Sequence, residues 1–89
     1  MEVKKPDLRS YDFGVSVESG MTCKVTAEFE PLDDGFASES FWVDVVDSID
    51  GAAFIGRVAN ELVLSEEHDL FADDLIRLEA RHVRDVFTS

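Results

Sequence analysis

The sequence predicts a small α+β domain, a mainly antiparallel β-sheet or partly open barrel carrying one or two short helical segments. Three observations predict it. Residues 41–60, FWVDVVDSIDGAAFIGRVAN, are two apolar-rich runs joined by Asp50-Gly51, a dipeptide suited to the positive φ angles of a tight hairpin turn. Residues 22–29, TCKVTAEF, alternate between apolar and polar side chains, as a strand with one wet face does. From Asp73 onward, Ile76, Ala80, Val83 and Phe87 fall at helical spacing behind two acids suited to a helix start.

Taken in order, residues 1–20 read as an N-terminal arm, polar in its first ten residues, with a weak alternation over 11–17 that could form a strand. Residues 21–89 read as one compact domain. At 89 residues the chain can bury about 60–65% of its unfolded surface, a modest core that needs no staples. After the strand over 22–29, residues 31–40 have a loop composition of Asp33, Asp34, Gly35, Ser38 and Ser40, with Phe36 a candidate plug.

In the central hairpin, a two-residue turn at Asp50-Gly51 sets the register. Val43 then faces Val58, Val45 faces Gly56, Asp47 faces Phe54 and Ile49 faces Ala52, and with Phe41 these form the core face. The other face pairs Val46 with Ile55, Asp44 with Arg57 and Trp42 with Ala59. The C-terminal segment either covers this second face or leaves it as an apolar patch bordered by acids. Gly56 inside a strand marks a bulge or a close backbone approach. Beyond Asn60, Ser65 can cap a helical turn through Glu66, Glu67 and His68. Over 74–87 the alternatives are one helix, or a strand over 75–78 followed by a helical turn at 80–83.

Charge segregates along the chain. There are 20 acidic against 8 basic residues, a formal net charge of −12, and residues 25–76 hold fourteen of the acids with Arg57 as their one base. Such a field repels nucleic acid and membranes and attracts basic protein surfaces. Solubility and a salt-rich cytoplasm are the competing explanations of the same acidity. No apolar run reaches a membrane span and no signal segment opens the chain, so a cytoplasmic monomer or weak homodimer is expected.

The chemistry-bearing residues are few. Cys23 lies in a strand pattern and reads as a buried, inert thiol. His68 and His82 with Cys23 lack zinc spacing, Asp69, Asp73 and Asp74 lack calcium-loop spacing, and no phosphate-cradling glycine loop is present, so no metal or cofactor is expected. His82 and Asp85, three apart, could orient one another, but two residues do not make a catalytic pocket and the chain is not expected to be an enzyme.

The succession KVTAEF, ESFWVDV, IDGAAFIGRVANEL, HDLFADDLIRL and RHVRDV resembles the YegJ-like family of small bacterial domains of unknown function. The resemblance covers residues 24–86 and rests on Glu39, Trp42, Val43, Gly51, Gly56, Asn60, Asp74 and Asp85. The chain departs from it at Asp73, where the family often has glycine, and at Asn60-Glu61-Leu62, where Asn-Asp/Glu-Pro is common. It implies a compact, strand-rich domain and favours a strand over 75–78, with no catalytic residues and no assigned activity.

Two function classes therefore stand. One is an acidic protein-binding module that engages or inhibits a basic, nucleic-acid-binding protein, as small inhibitor and immunity proteins do. Its candidate contact residues are Trp42, Asp44, Asp47, Asp50, Glu66, Glu67, Asp69, Asp73 and Asp74. The other is a housekeeping domain with a small-molecule ligand or weak enzyme activity.

Overall fold

The computed structural model describes residues 2–11, 16–29, 37–63 and 69–87. They form a six-stranded mixed sheet: β1 (Val3–Lys4), β2 (Thr22–Phe29), β3 (Ala37–Ser48), β4 (Ala53–Val58), β5 (Leu75–Glu79) and β6 (Asp85–Val86), in the order β1-β5-β4-β3-β2-β6. The α+β expectation is overturned. The helical structure among the described residues is one 3₁₀ turn, Ala80–His82. The helical spacing of Ile76, Ala80, Val83 and Phe87 conceals a period-two run, since Ile76 and Leu78 are fully buried while Leu75, Arg77 and Glu79 face outward and stay partly exposed. Of the two alternatives left open over 74–87, the chain takes the strand followed by a turn.

Strands β2 to β5 are an antiparallel meander, and β6 returns after the 3₁₀ turn to pair with the start of β2, Cys23 opposite Val86. The N-terminal segment touches both margins of this meander. Val3 and Lys4 pair in parallel with Leu75 and Ile76 of β5, and a few residues on Leu8 bridges Ala27 of β2. The amide of Arg9 donates to the carbonyl of Thr26, and that of Glu28 donates to the carbonyl of Asp7. The sheet is thereby curled, its concave face filled by Cys23, Val25, Phe41, Val43, Val45, Phe54, Val58, Ile76, Leu78 and Val83, with Leu62 and Leu70 from the β4–β5 connection.

The hairpin departs from the expected register beyond Val45. Val43 opposes Val58, Asp44 opposes Arg57 and Val45 opposes Gly56, but then Asp47 opposes Ile55 and Ser48 opposes Phe54, with Val46 extruded as a bulge. Uniform alternation would bury the Asp47 carboxylate against Phe54, and burying a charge without a partner costs several kcal/mol, roughly. One extra residue in β3 moves Asp47 to the exposed face. The turn is correspondingly longer than two residues. Ile49 and Asp50 both donate to the Ala53 carbonyl, and the Asp50 side chain accepts from the amides of Ala52 and Ala53 at 2.9 and 3.0 Å.

Gly56 is required by packing, because a Cβ there would run into Val43 Cγ1 on the concave face. Residues 37–40, which composition assigns to a loop, are the first residues of β3. Their polar side chains are held across the ladder, Thr26 and Ser40 hydroxyls bonding at 2.7 Å. The proposed roles of Phe36 and of a turn at Ser65, and the core of the strand proposed over 11–17, lie outside the described residues.

Candidate functional site

Of the nine residues expected to meet a partner, Glu66 and Glu67 lie outside the described residues. Six of the other seven divide between two ends of the sheet. At one end is the 69–74 turn, which carries positive φ at Asp69 (55°) and Asp73 (73°), a conformation open to aspartate at small cost. Of its acids, Asp74 is already partnered. The Lys4 ammonium donates to the Asp69 carbonyl at 2.7 Å and to Asp74 Oδ2 at 2.8 Å, while Asp74 also accepts from the amide of Phe71. The Lys4 contact foremost, helped by that amide, holds the Asp74 carboxyl below its usual range. Chain folding has thus returned an N-terminal base to an acid far along the sequence, while the carboxylates of Asp69, 3.7 Å from the Lys4 ammonium, and of Asp73 stay exposed.

At the other end is the bulged half of the hairpin. Here Asp44 accepts from the Thr22 hydroxyl at 2.7 Å, Asp47 from the amide of Ser48, and Asp50 from the two turn amides. All three are exposed. Their partners are neutral donors, which orient a carboxylate without cancelling its charge; the backbone bonds hold the Asp50 carboxyl below its usual value. Beside them stand Val46 and Ile49, 41% and 45% exposed. The bulge creates this combination by extruding Val46 and turning Asp47 outward. Sequence alternation, which counts every strand residue once, places both of them wrongly.

Trp42 lies between the two groups and in a different setting. Phe87, just after β6, meets it edge-on with ring centroids 6.0 Å apart, and the Lys24 ammonium sits 5.5 Å from its ring centroid. The C-terminal segment therefore covers the outer face at Trp42 and leaves it open at Val46. Arg84 nearby donates to Ser40, so the surroundings of Trp42 are mixed in charge rather than acidic. Several residues that carried the resemblance have structural partners: Asn60 Oδ1 accepts from the Trp42 amide at 2.7 Å, and Glu39 accepts from the amide of Val63.

Among the titratable groups considered for chemistry, Cys23 is fully buried and its thiol is pushed up by burial. His82 and Asp85 do not orient one another. His82 Nδ1 accepts from the amide of Glu79 at 3.0 Å, and the Asp85 carboxylate accepts from the amide of Val86. Burial, with Arg81 beside it, holds His82 below the usual imidazole range, so the ring is neutral near pH 7.

Sequence reasoning missed one feature altogether. A cleft of about 280 Å³ lies where the N-terminal segment crosses from β5 toward β2, lined by Lys5, Pro6, Asp7 and Leu8 on one side and by Arg77, Leu78, Glu79, Arg81 and His82 on the other. No local motif could reveal it, because its two walls are some 70 residues apart in the chain. Comparison of the chain with protein-family models, curated proteins and solved structures finds no match.

Proposed function

We propose that this chain is an acidic protein-binding module that engages a basic protein surface through the bulged half of its central hairpin. One observation carries the reading: Asp44, Asp47 and Asp50 are exposed, oriented by neutral donors, and set beside the exposed apolar side chains of Val46 and Ile49. Apolar contact supplies the affinity of such a surface, and the carboxylates supply attraction at a distance and rejection of acidic competitors. The formal charge of −12 extends that attraction. A nucleic-acid-binding protein, whose own surface is basic, is the partner class that fits, and covering its basic surface would inhibit it.

The reading is tested by capture from lysate with the wild-type chain and with a variant carrying Asp44→Asn, Asp47→Asn and Asp50→Asn. Asparagine keeps the turn acceptor at position 50, so the fold is retained. A basic protein held by wild type at low salt, released at high salt and lost from the variant supports the proposal. Equal capture by both chains refutes it.

The cleft beside the 3₁₀ turn favours a second reading, a small-molecule ligand, because it groups charged donors around a defined volume.

A further inference from the structure

The cleft between the N-terminal crossing and the 3₁₀ turn concentrates base in an acidic protein. Lys5, Arg77 and Arg81 are three of the eight lysines and arginines in the chain, and all three line it. Two acids line it as well. Glu79 is engaged by Arg81, whose Nε donates to it at 3.2 Å, and Arg81 also donates to the Ser10 hydroxyl at 2.6 Å. That leaves the ammonium of Lys5 and the guanidinium of Arg77 with Asp7, and the charge of Arg77 acts on Glu79 as well. Among the described residues, neither Lys5 nor Arg77 has a side-chain hydrogen bond or ion pair within the fold. Asp50 lies close enough to Arg77 for the two charges to act on each other.

His82 adds a neutral donor. It is 8% exposed, and because its Nδ1 accepts from the Glu79 amide, the ring proton sits on Nε2. Among the described residues no acceptor meets that nitrogen. A buried donor without a partner is costly, and a ligand oxygen in the cleft would satisfy it. A guanidinium, an ammonium and an imidazole N–H around a volume of about 280 Å³ match the oxygens of one small anion better than they match an apolar ligand.

We infer that this cleft is a binding site for a small oxyanion, a molecule of a few heavy atoms carrying one phosphate or carboxylate group. Arg77 and Lys5 supply the charge and His82 the neutral donor, while the Glu79–Arg81 pair fixes the wall that holds the imidazole. This site is separate from the acidic hairpin surface and stands or falls independently of it.

The test is a chemical-shift titration of the isotopically labelled full chain with inorganic phosphate and, separately, with succinate, at constant ionic strength, each raised to about 10 mM, where a millimolar site saturates. The expected result is saturable shifts of the His82 ring and the Arg77 guanidinium with one or both anions. The anion that binds assigns the group as phosphate, carboxylate or either. Arg77→Gln and Lys5→Gln, both at partly or fully exposed positions, should each weaken binding by about tenfold, an amount typical of losing one charged contact. Glu61→Gln, at an exposed position outside both surfaces, should leave it unchanged. Linear, unsaturated shifts with both anions, or saturable binding that neither cleft variant weakens, would overturn the assignment.

Discussion

His82 shows how one buried side chain ties stability to pH. Its folded pKa is depressed, mainly by burial and secondly by Arg81, with Glu79 opposing. The unfolded chain therefore binds the imidazole proton more readily than the folded one. Its contribution to stability is complete above the unfolded value, near 6.5, and is lost as the pH falls through the folded value. Urea midpoints at about pH 7.5 and about pH 5.5 check this, because carboxylates titrate mostly below that window. The midpoint should be lower at the acid end, and the difference should shrink in His82→Gln. Equal midpoints for the wild-type chain would contradict it. A second single-residue outcome concerns Gly56, where a methyl group meets Val43 and Leu78. Gly56→Ala should cost about 1–3 kcal/mol, the usual range for overpacking a core, as read from denaturant unfolding. A variant as stable as wild type would show that Val43 can move aside.

At the scale of elements, the hairpin was the most legible part of the sequence and the most instructive where it misled. Alternation placed Phe41, Val43, Val45, Phe54, Val58 and Val25 in the core, and all six are buried. It failed at Val46, because a bulge adds a residue to one strand that no periodic count contains, although the conflict of an aspartate in a core position announced it. It failed again at residues 37–40, where serines and a glutamate that read as loop are paired strand residues. The long-range partners were not legible at all, since Lys4 with Asp74, and Lys5 with Arg77, are joined by topology rather than by spacing. Phe54→Ala checks the part that was legible. It removes a side chain 4% exposed at the base of the hairpin and should cost about 3–5 kcal/mol, a large share of the stability of so small a domain. An unchanged melting midpoint would contradict the packing described above.

For the whole molecule, residues 2–9 close the sheet. Val3 and Lys4 cover the β5 margin and Leu8 covers part of the β2 margin, so removing them exposes two edges able to pair with other chains. A chain beginning at Ser10 should melt lower and associate in a concentration-dependent way during sedimentation. A monomer of unchanged melting temperature would mean that the meander from β2 to β5 is sufficient alone. The same closure redistributes charge. Lys4, Arg9 and Arg81 are brought against Asp74, Glu28 and Glu79, while among the described residues Asp44, Asp47 and Asp50 of the hairpin have no ion pair within 4.0 Å. The most direct measurement of the central claim is the rate of association with the captured basic partner across a series of salt concentrations. Wild type should associate more slowly as salt rises, with dissociation nearly constant, and the variant with Asn at 44, 47 and 50 should show a much flatter dependence. Identical salt dependence in the two chains would place the binding surface away from the hairpin.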